Sequence, residues 1–449
     1  MGMQNSIFNS IFKPVKFQPT KWTLVFLLAS AMLILMGGAA VAPALPLISE
    51  AFPDCSEALV SLIVTLPSLA IAITGFFIGG LSDRIGRLPI LSASLLIFSV
   101  AGASGFFLNS LPAILAGRFI LGIGIAGITT TTTALITDYY SGMTRTKVLG
   151  YQGASMGAGV LILETSGGFL AGISWRLSFL IYLIGLVILI GVLATMKEPL
   201  REQKTFLHES TDKSTAETGK DAIQREKGLI KPNRKRESNT RPVCEILSVY
   251  ITLFLSMVMF FLLPTKLPYL IPDILTTMDL SETGGIFANP ALLSGMFLGV
   301  VGLVSALMGV FYWKIAVHMH KNLILVLTYF MLCAGFITLG LSHSLPVAGI
   351  AVVIIGIGNG LMIPTLLNWL TSVTPMAVMG RIMGGYSVSL NLGQFASSLI
   401  IVPVFAVVGT YSGLYLAFSI LAALLTVVYL IAYLKTRALN LAEPSPVRN

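Results

Sequence analysis

Hydrophobic residues form twelve long runs along the chain, separated by short polar segments and by one longer polar interval in the middle. Each run is long enough to cross a bilayer as an α-helix, which needs about 17–25 residues and more when it is tilted. The predicted spans are 22–47, 58–80, 89–108, 112–138, 147–172, 177–196, 246–272, 284–313, 322–342, 346–372, 380–408 and 411–435. We therefore predict an all-α polytopic membrane protein whose transmembrane helices are numbered 1 to 12 in chain order.

The order of six helices, a polar interval and six more helices predicts two pseudo-symmetric six-helix bundles with a substrate cavity between them. The predicted parts are a cytoplasmic N-terminal tail (1–21), a first bundle (22–196), a cytoplasmic linker (197–243), a second bundle (244–436) and a cytoplasmic C-terminal tail (437–449). The linker combines low hydrophobicity with mixed charge, a composition typical of disordered segments.

Composition and charge placement favour the same topology. Charged residues make up 10% of the chain and hydrophobic residues 55%, whereas soluble domains carry about 25% charged residues. Of the 28 Lys and Arg residues, only Arg118, Arg176 and Lys266 fall outside the predicted cytoplasmic segments, as the positive-inside rule requires. The net charge of +9 therefore reflects topology rather than a nucleic-acid partner. We expect a monomer in the cell membrane with both termini in the cytoplasm.

The segment between helices 2 and 3 reads GGLSDRIGRLPIL over residues 79–91. Its pattern, G-x-L-x-D-x-x-G-R, is formed by Gly79, Leu81, Asp83, Gly86 and Arg87. It resembles the signature loop of the major facilitator superfamily, and this resemblance implies a twelve-helix transporter fold. It also implies that the loop acts as a conformational latch between the two bundles.

The resemblance further implies partners for this loop. Asp83 would lie at the N-terminus of helix 11, near Gly380 and Arg381, because the N-terminal end of a helix attracts a carboxylate. The family pairs the arginine of the motif with a carboxylate at the cytoplasmic end of helix 4, and here those residues are Arg87 and Asp138. The predicted latch comprises Gly79, Asp83, Gly86, Arg87, Asp138 and Arg381.

Helix 4 contains RFILGIGIAG from Arg118 onwards. The pattern R-x-x-x-G-x-G-x-x-G resembles the helix-4 motif of the proton-coupled drug exporters of the superfamily. On a helical wheel Gly122, Thr129 and Thr132 share the face of Arg118, which predicts a polar stripe along a cavity. A second interpretation is an arginine whose head group snorkels to the membrane interface.

Helix 5 resembles the antiporter motif of the same exporters, with one departure. The matching glycines are Gly150, Gly159, Gly167 and Gly168. The central Gly-Pro of that motif, which is associated with a helix bend and close packing, is replaced by Leu163-Glu164. The match favours export, and the departure keeps import open.

Glu164 itself is unusual, because an ionised side chain at the centre of a bilayer costs roughly 2.5–3.5 kcal/mol on insertion scales. Glycines share its helical face, which indicates contact with another helix. Helices 4 and 5 run in opposite directions, and Glu164 and Arg118 lie at a similar predicted depth. We therefore predict that the two form a site that couples proton movement to transport. The alternative is a static buried salt bridge.

Other polar positions are weaker candidates. Substrate-cavity residues are predicted to include Thr129, Asn289, Asn359, Asn368, Asn391 and Gln394, although each amide alone is equally consistent with a hydrogen bond between helices. Lys266, flanked by Pro264 and Pro268, is consistent with a kinked gate or with snorkelling. His318 and His320 lack carboxylate or cysteine partners, so no metal is expected.

The sequence contains no phosphate-binding G-x-x-x-x-G-K-[ST] loop and no nucleophile and base set, so neither ATP, nor another cofactor, nor enzymatic activity is expected. We predict a secondary active transporter that exports small amphipathic molecules, drugs or metabolites, by proton-coupled alternating access. Its expected partners are a small-molecule substrate, protons and the lipid bilayer. A proton-coupled symporter that imports a metabolite, a dedicated exporter of one natural product and a non-transporting membrane sensor remain alternatives.

Overall fold

The structure is a computed structural model that describes residues 19–199, 241–278, 289–375 and 378–442. Its helices are α1 (Lys21–Ala39), α2 (Glu57–Ile85), α3 (Arg87–Ala103), α4 (Leu111–Tyr139), α5 (Gly142–Ile173), α6 (Trp175–Thr195), α7 (Arg241–Phe260 and Leu262–Thr277), α8 (Pro290–His318), α9 (Lys321–Gly340), α10 (Leu345–Val373), α11 (Met379–Val408) and α12 (Tyr411–Ala442). The predicted tails, except for their innermost residues, and most of the linker lie outside the described residues.

Within the described part, eleven helices are long and apolar enough to cross a membrane, and the first contributes a shorter apolar stretch, Lys21–Leu35. The predicted first span, 22–47, is wrong as one continuous helix, because α1 ends at Ala39 and two short helices follow it, Ala42–Ala44 and Leu45–Ala51. Each begins with a proline in its first turn, Pro43 and Pro46, where the missing N–H has no helical partner to lose.

The helix α7 is also interrupted, because its two segments meet at Phe261. Pro264 follows within the first turn of the second segment, and Pro268 and Pro272 lie inside it. A proline removes a backbone donor and crowds the preceding turn. The break therefore divides α7 into two arms, of which the second carries Lys266.

The two halves of the chain repeat one packing pattern. In the first half α2 packs on α4, α3 on α4 and on α6, and α1 on α4 and on α5. In the second half α8 packs on α10, α9 on α10 and on α12, and α7 on α10 and on α11. Every pair of the second half is a pair of the first half shifted by six helices. The prediction of two pseudo-symmetric six-helix bundles is confirmed.

The bundles meet along two helix pairs that the same symmetry relates, α5 with α8 and α2 with α11. We name the two ends of the molecule by residues: the Glu57 end carries the start of α2, and the Arg87 end carries the start of α3. Towards the Glu57 end, α2 and α11 are joined by hydrogen bonds between Thr65 and Ser398 (2.8 Å) and from Ser68 to Gln394 (2.6 Å).

The same helices are apart towards the Arg87 end. A side chain added at Gly79 on α2, Gly153 on α5 or Gly384 on α11 would meet no described atom within 4 Å. By contrast, one added at Gly168 on α5 would meet the carbonyl oxygen of Ala291 on α8. The bundles are therefore closed against each other at the Glu57 end and open at the Arg87 end.

Gly168 and Gly153 share one face of α5, and leucine is expected to shift the conformational equilibrium at the first position and not at the second. Gly168→Leu crowds the closed end, and overpacking of this kind costs about 1–3 kcal/mol, so the equilibrium should shift about fivefold to 150-fold towards opening of the Glu57 end. Gly153→Leu, its matched control, should retain the present state. Spin-label distances between α5 and α8 at each end would measure the shift. A shift in the same direction for both variants would contradict this account of the glycine face.

Candidate functional site

Glu164 lies where the two bundles touch. It belongs to the face of α5 that packs on α8, and a side chain at Gly295 of α8 would meet the carbonyl oxygen of Glu164. The residue is only 5% exposed. Its Oε2 atom has no hydrogen-bond partner among the residues that the structure describes. One oxygen of this carboxyl group is thus enclosed at the contact between bundles without a hydrogen bond to compensate a charge.

Arg118 is also enclosed, at 1% exposure, but it faces aromatic rings instead of Glu164. Its guanidinium carbon lies 4.5 Å from the ring centre of Phe179 and 4.7 Å from that of Tyr182, both on α6. Neither terminal nitrogen has a hydrogen-bond partner within the described chain. Stacking on two ring faces stabilises a cation, although it satisfies none of those N–H groups.

The described residues contain no ion pair between Arg118 and Glu164, and the coupling role of the two residues stays a prediction. The predicted polar stripe needs correction. A side chain at Gly122 would meet the carbonyl oxygen of Pro67 on α2, and Thr132 is fully buried and bonded to the carbonyl oxygen of Ile128. The stripe therefore packs against protein, and of its threonines only Thr129 is partly exposed.

The antiporter-like glycines of α5 are mostly contact points. A side chain at Gly159 would meet the carbonyl oxygen of Met32 on α1, and one at Gly167 would meet that of Ala40. Gly168 approaches α8 in the same way, whereas Gly150 faces open space near the Arg87 end. Three of the four glycines therefore allow close backbone approach, even though the chain lacks the Gly-Pro of the motif.

At the Arg87 end the structure brings together residues that the loop motif predicted. Arg87 Nη1 lies 2.9 Å from Asp83 Oδ1, and Arg87 Nε lies 3.4 Å from Asp138 Oδ2. Gly86 occupies a left-handed φ of 124° at the turn between α2 and α3, which favours glycine. Arg381 is exposed at the start of α11, and Gly79 faces open space. The function of this cluster as a latch stays a prediction.

Glu198, which lies in the predicted linker, is a site residue that was not predicted from the sequence. Its two carboxylate oxygens accept hydrogen bonds from the backbone N–H groups of Arg87 and Leu88, each at 2.7 Å. Glu198 thereby caps the N-terminus of α3, and it is 8% exposed. The first bundle thus extends beyond its predicted end at 196. No local signal marks the residue, since the helix that it caps begins 111 residues earlier.

Glu198→Ala is expected to destabilise the first bundle, because two backbone donors at the start of α3 lose their acceptor. Loss of an N-cap typically costs about 0.5–2 kcal/mol. Thermal unfolding of the purified protein would measure the effect. Glu50→Ala, which removes an exposed carboxylate, is the control. Equal melting temperatures for the two variants would contradict the capping role.

The predicted cavity residues have divergent environments. Gln394 accepts a hydrogen bond from Ser68 across the bundle contact, whereas the Asn391 amide donates to Ser387 within α11. Asn359 donates to Ser305, and Asn368 is exposed. Asn289 instead accepts hydrogen bonds from the N–H groups of Ala291 and Leu292, so it caps α8 at the Glu57 end and does not line a central cavity.

The two histidines near the end of α8 have structural contacts. His320 Nδ1 accepts the N–H of Asn322 at 3.2 Å and caps α9. Burial and the neighbouring Lys321 ammonium lower the pKa of His320, which keeps the ring neutral and able to accept. His318 Nδ1 lies 2.9 Å from the carbonyl oxygen of Lys314.

Comparison with known proteins identifies the family. The family model of the Major Facilitator Superfamily matches residues 27–398. The 4-hydroxybenzoate transporter PcaK of Acinetobacter baylyi is 25% identical over 63% of this chain and 68% of its own length. The niacin transporter NiaP of the same organism is 32% identical, but that match covers only 26% of this chain and 27% of the relative.

Multidrug resistance protein 1 of Bacillus subtilis is 30% identical over 40% of this chain and 46% of its own length. Among solved structures, a D-xylose–proton symporter matches with a TM-score of 0.66 at 16% identity, over 90% of this chain and 96% of that one. At this identity the structural match reports the fold alone. The family model matches most of the chain, and the two halves of the chain repeat one six-helix packing. The chain therefore belongs to the Major Facilitator Superfamily and is a multi-pass membrane transporter of the secondary kind.

Proposed function

We propose that this protein is a proton-coupled transporter that exports small amphipathic molecules by alternating access. In this proposal it lies in the cell membrane as a monomer, with the Arg87 end in the cytoplasm. The orientation rests on the distribution of Lys and Arg, which favours the cytoplasmic side. The observation that carries proton coupling is the enclosure of Glu164, without a partner for Oε2, at the contact between the bundles.

The coupling follows from the cost of burying charge. An ionised carboxylate at the contact of α5 and α8 would be costly, whereas a protonated one is tolerated. Opening of the Glu57 end would part α5 from α8 and expose Glu164 to water. A proton on Glu164 therefore favours closure of that end, and the free energy of proton binding becomes linked to the conformational equilibrium.

Export is supported by the motifs of α4 and α5 and by the relative named as a multidrug resistance protein. In this state the open Arg87 end would receive the substrate from the cytoplasm. The glycine face of α5 permits the bundles to close over it. The proton gradient then supplies the energy, at roughly 2.3 kcal/mol per charge per 100 mV from the membrane potential alone.

A second candidate is proton-coupled import of an organic acid. It is favoured by the guanidinium of Arg118, whose charge no described carboxylate neutralises. Two relatives are named as transporters of niacin and of 4-hydroxybenzoate, and both compounds are aromatic carboxylic acids. Import would use the same fold and the same carboxylate, and would differ in the sign of the coupled flux.

Inside-out vesicles that enclose a pH-sensitive dye distinguish the two candidates. Amphipathic cations and aromatic carboxylates are added one at a time to the outside, with protein-free vesicles as the control for passive permeation. Under export, a substrate alkalinises the acidified lumen, since protons leave in exchange. Under import by symport, a substrate added without a pH gradient acidifies the lumen. Failure of every compound in a broad panel to move protons above the control would refute proton coupling.

A further inference from the structure

A second charged cluster joins the bundles at the Glu57 end. Lys266 Nζ, on the second arm of α7, lies 2.9 Å from Glu57 Oε2 at the start of α2. Tyr411 of α12 donates its hydroxyl hydrogen to Glu57 Oε1 at 2.7 Å. Ser49 and Tyr269 add a hydroxyl contact of 2.7 Å across the same boundary. Lys266 is 4% exposed, so it does not snorkel to the surface in this state.

The ammonium of Lys266 is surrounded by rings as well as by Glu57. Its Nζ atom lies 4.8 Å from the ring centre of Tyr269, 5.7 Å from that of Phe405 and 5.8 Å from that of Tyr411. Such rings attract a cation, but they also exclude the water that would otherwise solvate it. The carboxylate of Glu57 is the one full counter-charge within ion-pair distance among the described residues.

A cavity of about 250 Å³ adjoins this ion pair. Its lining includes both charged residues together with Ser61, Ser398, Ile401 and Phe405. The hydroxyl oxygen of Ser61 is buried and has no hydrogen-bond partner in the described part of the chain. The cavity thus combines a cation, an unpartnered hydroxyl and an apolar wall, which is the composition of a small-ligand site.

The two members of the ion pair differ in their access to water. The Glu57 side chain is 40% exposed and that of Lys266 is 5% exposed. When the Glu57 end opens, α2 and α7 must separate, and Glu57 can pass into water at little cost. Lys266 would keep its three aromatic neighbours from the second bundle and would lose its anion. An uncompensated cation in such surroundings is costly, so a replacement anion is favoured.

We propose that Lys266 and the adjoining cavity form an anion site that takes the carboxylate of a small organic acid with an apolar body in exchange for Glu57. The carboxylate pairs with Lys266, and the apolar body lies against Ile401 and Phe405, which belong to the same bundle as Lys266. This anion site is separate from the proton-coupling carboxylate of Glu164. It rests on the proposed function only in requiring that the Glu57 end opens.

Binding of benzoate and of its neutral counterpart benzamide tests the site in the full-length protein reconstituted in nanodiscs, by ligand-observed NMR titration. Glu57→Gln removes the competing carboxylate, so benzoate should bind about tenfold more tightly than to the wild type. It should also be preferred over benzamide by a similar factor. Adding Lys266→Gln should abolish that preference, whereas adding Lys266→Arg should retain it. Glu50→Gln, an exposed change of the same chemistry, should bind like the wild type.

Two results would overturn the proposal. One is the absence of a preference for benzoate over benzamide in Glu57→Gln, and the other is a preference that survives Lys266→Gln. Lys266→Arg controls for misfolding, since it keeps the charge. Adding Glu164→Gln to the Glu57→Gln protein removes the proposed proton-coupling group and should leave the preference for benzoate intact. A failure of proton coupling can therefore be distinguished from a failure of the anion site.

Discussion

Replacing Glu164 with glutamine is expected to reduce transport driven by a pH gradient to the level of protein-free liposomes. Glutamine has nearly the size of glutamic acid and remains neutral, so the contact between α5 and α8 should close as it does around a protonated carboxyl group. The variant can no longer exchange a proton as that contact opens and closes. It therefore retains the conformational cycle and loses its coupling to the gradient.

The measurement has two arms. Gradient-driven uptake into proteoliposomes should be lost, whereas exchange of labelled for unlabelled substrate without a gradient should continue, because exchange needs no net proton movement. Glu50→Gln is the matched control, since it changes an exposed glutamate on the helix Leu45–Ala51, and both activities should match those of the wild type. If Glu164→Gln kept full gradient-driven transport, another group would have to carry the proton.

Arg118→Met is expected to yield a protein that is at least as stable as the wild type but has lost transport. The guanidinium is buried and neither of its terminal nitrogens is hydrogen-bonded to a described residue. Replacing even a buried ion pair by apolar groups of similar volume is often neutral or stabilising by about 1–4 kcal/mol, and Arg118 has no described ion-pair partner to lose. The stacking lost on Phe179 and Tyr182 offsets part of this gain, at about 1–2 kcal/mol. We expect a small net rise in the free energy of unfolding.

Arg176→Met is the matched control, because the guanidinium of this arginine is hydrogen-bonded to neighbouring residues. It donates to the carbonyl oxygens of Phe106 and Leu108 at 3.2 and 3.1 Å and to Asn109 at 2.9 Å. Its loss should lower the melting temperature and leave transport per folded molecule unchanged. Thermal unfolding and reconstituted transport of both variants would show whether Arg118 serves transport or packing. Destabilisation of Arg118→Met to the same extent as Arg176→Met would assign Arg118 a packing role.

The membrane architecture could be predicted from the sequence because its causes are local. Apolar runs of bilayer length must be helical to satisfy their backbone groups in lipid, and the six-plus-six order predicts the repeated packing. The contact between Arg87 and Asp138 was predictable only through a motif whose geometry recurs within the family. The interruption of α1 was missed, although Pro43 and Pro46 were visible, because hydrophobicity alone cannot separate a continuous span from a broken one.

The site was less predictable, because its contacts depend on how helices rotate and approach each other. Depth and helical face suggested that Arg118 meets Glu164, yet rings from α6 occupy the space around the guanidinium. Glu198 caps a helix that begins far earlier in the chain. Lys266 does not snorkel, since it is buried and pairs with a glutamate 209 positions away.

The membrane class, the number of helices, the internal repeat and the rare charges within apolar spans can all be derived from the amino-acid sequence alone. These properties follow from composition and spacing along the chain. Which end of the molecule is closed, and what surrounds each buried charge, follow only from the folded protein. Those outcomes arise where two bundles meet, and the free energy of such a contact depends on side chains that lie hundreds of residues apart.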